Sequence, residues 1–269
     1  MEERKFDPYQ FIGFILIALI LTWMLYRNGP AEANPTVQNP TTEQTSTQIN
    51  SVSQNPVVSD SLLQQQKVEA YGDLGALFQP TSEGTVRVQT NEMSLELDPK
   101  GGQISKLLLN AYENYEDLPV PLINEGNTDF NIQLNTLDGR ILNTSEMFFR
   151  PIVNQGAESI QIEMRATLSE EQYFSFLYIF PKKGHLFSFS VRSVGMRALL
   201  NTAIPPQLNW KTDVFRNSRS IDYENRYTEF TFGYEADRVD YLSLSGNDEE
   251  TRQDLRWISY RQHFFSAIL

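Results

Sequence analysis

The side chains that most often perform catalysis or bind metals are scarce, since the chain has two histidines and no cysteine. His185 lies in a predicted hairpin turn, and His263 lies in Arg261–Phe265 without a second ligand nearby. Both are therefore predicted to be structural. The acidic pairs Glu170–Glu171 and Glu249–Glu250 are sequence neighbours, and neighbours on a strand point to opposite faces, so neither pair suits acid-base catalysis.

Sequence motifs for nucleotide binding or nucleophilic catalysis do not occur in the chain. We therefore predict no catalytic residue, no cofactor, no metal ligand and no enzymatic activity. The net charge of −12 argues against binding to nucleic acid, which requires a basic surface. Aromatic side chains at strand spacing indicate a hydrophobic core. Because catalytic groups are lacking, the chain is expected to bind, space or hold something rather than to catalyse a reaction.

The most apolar segment is Tyr9–Tyr26, whose helical length of about 27 Å fits the hydrocarbon thickness of a bilayer. We predict a cytoplasmic N-terminus over residues 1–8 and a transmembrane anchor over 9–27. Arg4 and Lys5 precede the segment, and after Arg27 no basic residue follows until Lys67, which favours this orientation.

A cleaved signal peptide is the alternative, because Ala31-Glu32-Ala33 has the form of a cleavage site. The long apolar core and the acidic residues Glu2, Glu3 and Asp7 favour a retained anchor. In both interpretations, residues 34–269 are exported from the cytoplasm.

A polar linker is predicted over residues 28–83. Its first part, 28–59, is rich in Asn, Pro, Thr, Gln and Ser and has no aromatic residue, so it cannot offset the entropy of ordering. A short helix is expected over Asp60–Phe78, with Gly72 and Gly75 weakening or ending it.

From Gly84 onward, apolar and polar residues alternate, as in antiparallel strands with one buried face. Ser159–Leu168 shows the clearest alternation, and Tyr173–Phe180 is apolar enough for a central strand. Leu186–Val194 is predicted to return as a hairpin, with Phe187, Phe189 and Val191 on one face. With no long amphipathic helix, the pattern predicts a mainly β domain over 84–269, a sandwich of antiparallel sheets, with loops and short strands over 206–254.

Three stretches together resemble the N-terminal part of the YidC-type membrane protein insertases of Bacteroidetes-like bacteria. They are Met1–Phe14, Val86–Leu109 with its Gly101-Gly102 turn, and Trp257–Leu269 with its Phe264-Phe265 pair. The resemblance implies a periplasmic β-supersandwich and a role in inserting and folding proteins in the bacterial inner membrane, alone or with the Sec translocon. The implied partners are nascent membrane proteins and Sec translocon subunits, with the bilayer contacted through 9–27.

The five further helices that do this work in the family have no counterpart here, so we expect a fragment or a truncated product. Its periplasmic domain would be shortened at the C-terminal end, and insertase activity would not reside in it. The alternative is an exported, membrane-tethered carbohydrate-binding or mutarotase-like β-sandwich. Such an enzyme needs a histidine and a carboxylate converging in a cleft, and His185 and His263 are the only histidines available.

Overall fold

The computed structural model describes residues 60–269 except 125 and 245. The predicted cytoplasmic segment 1–8, the anchor 9–27 and the linker up to residue 59 lie outside the described residues. Within the described part, no helix is both long enough and apolar enough to cross a membrane.

The first element of the described residues is a helix, as the sequence predicts. Helix α1 spans Asp60–Tyr71 and continues as a 3-10 helix over Gly72–Phe78. Gly72 adopts a positive φ of 53°, which ends the regular α-helix at the glycine that the sequence suggested. Leu77 and Phe78 are completely buried, and Phe148 donates its N–H to the Leu77 carbonyl at 2.8 Å. The end of the predicted linker is therefore part of the folded domain.

Fifteen strands in the described residues form four sheets, and the named strands pair antiparallel throughout. The first sheet has the order β1-β2-β3-β4, with β1 Val86–Gln89, β2 Met93–Leu97, β3 Ile104–Glu113 and β4 Pro119–Ile123. The second sheet has the order β10-β9-β8-β7, with β7 Arg150–Gln155, β8 Ser159–Ser169, β9 Gln172–Pro181 and β10 Ser188–Val194.

Two further sheets are formed by the remaining strands of the described residues. The third sheet has the order β11-β5-β6, with β5 Thr128–Asn135, β6 Ile141–Asn143 and β11 Gln207–Thr212. The fourth sheet has the order β13-β12-β14-β15, with β12 Glu229–Tyr234, β13 Arg238–Ser243, β14 Leu255–Arg261 and β15 Ser266–Ile268. Short 3-10 helices occupy Thr144–Glu146 and Met196–Ala198. The prediction of a mainly β domain with antiparallel sheets is confirmed.

The core includes the shared inner face of β8 and β9, together with side chains of the first and third sheets. Their register sets Ile162 opposite Tyr178 and Met164 opposite Phe176, so alternate residues of both strands point the same way. All four side chains are buried, and the Phe176 ring stacks on Phe149 at 5.1 Å between centroids. In the middle of β8, the apolar residues are therefore buried and the polar residues between them are half-exposed. β9 lies between β8 and β10, so it is a central strand, as predicted.

The predicted hairpin of β9 and β10 is confirmed, with Tyr173 paired to Val194 and Ile179 to Ser188. Phe189 and Val191 lie on one face of β10, as predicted, because they pair with Tyr178 and Phe176 on the buried face of β9. Phe187 and Phe189 pack against the core, but Val191 is 42% exposed. The reason is that the core cluster reaches along this strand no further than Phe189.

The segment 206–254 has more regular structure than the sequence suggested. It holds β11, β12, β13 and a second helix, α2, over Ile221–Tyr227. Ser220 caps this helix by accepting a hydrogen bond from the Tyr223 N–H at 3.4 Å. Seven residues are too few to show the periodicity by which a helix is recognised.

Substitution of Gly102 tests how closely the Phe149 ring packs over the Gly101-Gly102 turn. Gly102 has a φ of 63°, and a Cβ there would lie 2.8 Å from the Phe149 ring. Gly139 also has a positive φ, but open space surrounds its Cβ position. A left-handed alanine costs about 1–2 kcal/mol, and forced overpacking adds about 1–3 kcal/mol.

We therefore expect Gly102→Ala to lower the free energy of unfolding by about 2–5 kcal/mol, and Gly139→Ala by about 1–2 kcal/mol. Urea unfolding of the full chain, followed by near-ultraviolet circular dichroism, measures both. Equal losses in the two variants would contradict the packing of Phe149 over the turn.

Candidate binding cavity

A cavity of about 600 Å³ opens among the first sheet, the third sheet, the β9–β10 hairpin and β15. Its walls are mostly aliphatic and aromatic side chains, among them Leu107, Leu122, Phe130, Phe187, Phe189 and Phe265. The lining side chains, all within the described residues, include no Asp, Glu, Lys or Arg. Cavities of this size and composition are typical of sites that bind apolar ligands.

The aromatic residues of the wall come from separate sheets. Phe130 of β5 packs edge-on against Phe189 of β10, with ring centroids 5.6 Å apart. Trp210 of β11 packs edge-on against Tyr260 of β14, whose hydroxyl donates to the Trp210 carbonyl at 2.6 Å. These contacts join the third sheet to the second and to the fourth, and they fix the cavity wall.

Several polar groups of the wall are already engaged in hydrogen bonds. The Tyr178 hydroxyl donates to the Gly102 carbonyl at 3.0 Å, and burial raises the pKa of Tyr178, so this proton is retained. Gln103 Oε1 accepts the Phe130 N–H at 3.2 Å, and the hydroxyls of Thr128 and Thr212 lie 2.7 Å apart. The wall therefore offers a ligand mainly apolar contact.

The two histidines occupy different environments. His185 is exposed in the hairpin turn, as predicted, and it also lies at the cavity wall, 5.8 Å from the Tyr112 ring. His263 is half-buried and stacks on Tyr227 at 4.8 Å and on Phe264 at 3.9 Å. The stacking of His263 fits the structural role predicted for it, and the exposure of His185 fits a residue of a hairpin turn.

The acidic pairs lie away from the cavity lining. Glu170 and Glu171 are exposed in the turn between β8 and β9, and Glu250 forms an ion pair with Arg252 at 2.7 Å. Within the part of the chain that the structure describes, no three His, Asp or Glu side chains are placed to hold a metal ion. The absence of catalytic, cofactor-binding and metal-binding residues remains a prediction.

A buried carboxylate supports the rim of the cavity. Glu224 of α2 is 3% exposed, and its Oε2 accepts the N–H groups of Asn217, at 3.1 Å, and Ser218. Its Oε1 accepts from Gln262 Nε2 at 3.2 Å, and Gln262 Nε2 also donates to the Phe215 carbonyl at 2.5 Å. The network ties the loop before α2 to the turn that carries Phe264 and Phe265.

Sequence reasoning did not find this carboxylate. Its partner Gln262 is 38 residues away, and no local pattern marks a buried glutamate. The one available signal was a serine followed by acidic residues, which fits the start of a helix such as α2.

The family model described as the YidC periplasmic domain matches residues 85–269. The chain belongs to this family. The match covers more than half of the chain and coincides with the β domain predicted from residue 84. It confirms the resemblance drawn from the three sequence stretches, and it favours the insertase family over the mutarotase-like alternative.

Similar curated proteins carry the same family name. The chain is 29% identical to the membrane protein insertase YidC of Porphyromonas gingivalis (strain ATCC 33277), over 78% of this chain and 33% of that protein. It is 27% identical to that of Parabacteroides distasonis, over 98% of this chain and 44% of the relative. It is 26% identical to that of Bacteroides fragilis (strain ATCC 25285), over 97% of this chain and 43% of the relative. The chain thus spans between a third and a half of the length of these relatives.

Because Glu224 is buried in this network, its loss should destabilise the protein more than the loss of an exposed glutamate. Glu224→Ala leaves two buried backbone N–H groups and the Gln262 amide without their charged acceptor. Hydrogen bonds to charged groups are worth about 1.5–3 kcal/mol each, but removal of the buried carboxylate also removes its desolvation cost. We therefore expect the free energy of unfolding to fall by about 2–4 kcal/mol. Urea unfolding of the full chain measures this loss.

The matched control is Glu235→Ala. Glu235 pairs with Arg238 at 3.3 Å on the surface, where both side chains are more than half exposed. Such a pair contributes at most about 1 kcal/mol. A Glu224→Ala variant no less stable than this control would show that the network does not support the turn.

Proposed function

We propose that this chain forms the N-terminal part of a membrane protein insertase of the bacterial inner membrane. The observation that carries the proposal is the match of residues 85–269 to the YidC periplasmic domain family, together with relatives named membrane protein insertase that align along almost the whole chain. In this arrangement, residues 1–8 are cytoplasmic, 9–27 anchor the chain, and 28–83 connect the anchor to a periplasmic β-supersandwich over 84–269. The end of the connecting segment, at Leu77 and Phe78, packs into the core of that domain.

The proposed activity is not bond chemistry. A membrane insertase must give a polypeptide a path along which its polar groups avoid the cost of several kcal/mol per unsatisfied group in hydrocarbon. In this proposal the periplasmic domain supplies a binding surface close to that path. Its partners are nascent membrane proteins and subunits of the Sec translocon.

The cavity supports this proposal over a mutarotase-like enzyme. Such an enzyme needs a histidine and a carboxylate that converge on the ligand. Of the described residues, the lining contains His185 and no acidic side chain. The aromatic and aliphatic wall therefore fits binding to apolar groups better than acid-base chemistry on a sugar.

The topology can be tested directly because the chain has no cysteine. We expect Leu186→Cys, at a position 85% exposed, to react with a membrane-impermeant maleimide in spheroplasts. We expect Glu3→Cys to react after lysis alone, since residue 3 lies on the cytoplasmic side. Labelling of Glu3→Cys in sealed spheroplasts, or no labelling of Leu186→Cys there, would contradict the proposed orientation.

The insertase role can be tested by depletion of the protein that carries this sequence from its own cells. We expect multispanning inner-membrane proteins to decrease in the isolated membranes, because insertion fails before they fold. Quantitative proteomics of the membrane fraction measures this, and soluble periplasmic proteins serve as the control. Unchanged insertion of newly made membrane proteins after full depletion would overturn the proposal.

A further inference from the structure

The outer face of the second sheet carries all the charged side chains of its strands. Met164 and Phe176 point into the core, so the residues that alternate with them point outward. The four strands β7–β10 contain four charged residues, and all four lie on this outer face: Arg150, Glu163, Arg165 and Arg192. Three positive charges against one negative charge give the strands of this face a net charge of +2, whereas the whole chain has a net charge of −12.

The strand register places the three arginines in one line across the sheet, here called the arginine row. Arg150 of β7 pairs with Arg165 of β8, and Arg165 pairs with Ser175 of β9. Ser175 in turn pairs with Arg192 of β10. Like charges directly opposite each other on neighbouring strands are destabilising, so fold stability does not account for Arg150 beside Arg165. The arginine row is therefore a candidate for recognition of an anionic partner.

The middle arginine of the row is held in place and neutralised. Arg165 donates to Glu163 at 2.6 Å, and its guanidinium lies over the Tyr173 ring at 4.0 Å from the centroid. The Ser175 hydroxyl donates to the same carboxylate at 2.8 Å. Burial alone would raise the pKa of Glu163, but these hydrogen bonds and the charges of Arg165 and Arg192 hold that pKa below its ordinary value. The carboxylate therefore stays ionised and offsets the charge of Arg165.

The two outer arginines of the row carry the remaining positive charge. Arg150 and Arg192 are exposed, and neither forms an ion pair within the described residues. They lie three strands apart, which is roughly 14 Å at the usual spacing between strands. A plane of anionic groups therefore suits them better than one small anion.

Apolar side chains lie beside both outer arginines. Ile152 is 48% exposed and Val194 is 37% exposed. Each lies two residues from an arginine of the same strand, so it shares the outer face with that arginine. Exposed arginines with apolar side chains next to them are typical of surfaces that lie at the boundary between lipid headgroups and acyl chains.

We propose that the arginine row binds the surface of a bilayer that contains anionic lipid. Arg150 and Arg192 pair with phosphate groups of the lipid, for which the guanidinium has the matching geometry. Ile152 and Val194 then contact the boundary between headgroups and acyl chains.

A bilayer fits the arginine row better than an acidic polypeptide. The proposed anchor at 9–27 holds the domain beside a bilayer, so the effective concentration of headgroups is high. An anionic surface repels the acidic remainder of the domain, so attraction at this one face also gives the domain a defined orientation. The inference goes beyond the proposed function and rests on it for the anchor.

The test measures contact between the domain and the membrane, with the full chain in nanodiscs that carry a nitroxide-labelled phosphatidylcholine as quencher. Because the chain has no cysteine, Ser190→Cys on the outer face of β10 takes a single fluorescent label. We expect stronger quenching in discs of equal parts phosphatidylcholine and phosphatidylglycerol than in discs of phosphatidylcholine alone. The difference should disappear in about 1 M salt, where the screening length is about 3 Å. A label at Val239→Cys, 63% exposed on β13, should show no such difference.

Substitutions in the row locate the contact. Arg150→Gln and Arg192→Gln should each lower the equilibrium constant for docking roughly fivefold, which corresponds to about 1 kcal/mol per arginine near an anionic surface. The matched control is Arg238→Gln, at a side chain that is 69% exposed on β13 and pairs with Glu235 at 3.3 Å. It should leave docking unchanged. Circular dichroism checks that each variant is folded.

Equal quenching of the label at residue 190 in the two kinds of disc would overturn the proposal, and so would docking that Arg150→Gln and Arg192→Gln leave unchanged. Release of the domain by polyglutamate at constant ionic strength would assign the arginine row to an acidic polypeptide instead. If Ser190→Cys did not react with maleimide in a longer form of the protein, the row would be covered by the protein's own sequence. A chain that fails to enter the discs would contradict the proposed anchor, and this inference would fail with it. Absence of docking alone leaves the depletion test of the insertase role unaffected.

Discussion

Burial of the shared inner face of β8 and β9 is the constraint on which the rest of the domain depends. Ile162, Met164, Phe176 and Tyr178 lie on that face because the two strands pair in one register. Each such side chain contributes about 1.5–3 kcal/mol when it leaves water, and a slip of one residue would expose the whole set. The 3-10 helix at Gly72–Phe78 and the Gly101-Gly102 turn are placed by contact with this core.

The cavity follows from the way in which the sheets share that core. Phe149 and Phe176 stack on each other in the core, whereas the cavity wall is made of rings from the β9–β10 hairpin, the third sheet and the turn between β14 and β15. Phe187 and Phe189 therefore pack against the core and also line the cavity. A domain that leaves this much apolar wall accessible is suited to binding apolar groups.

The rim of the cavity depends on electrostatics rather than on hydrophobic burial. A single buried carboxylate, Glu224, collects backbone N–H groups and a side-chain amide from two distant segments. An uncompensated buried charge is costly, so the three partners hold their positions as a unit. His263, stacked on Tyr227 and Phe264, lies next to the same turn. His263 thus helps to hold Phe264 in place at the rim.

The sequence alone determined the elements whose patterns are local. The alternation over Ser159–Leu168, the apolar run Tyr173–Phe180 and the helix before Gly72 follow from side-chain periodicity and turn residues, and these predictions are confirmed. The family was also evident in short stretches. Tertiary structure alone decided the cavity, the exposure of Val191 and the partners of Glu224. The physical reason is that each of these depends on surfaces that meet from distant parts of the chain, and periodicity does not encode which surfaces meet.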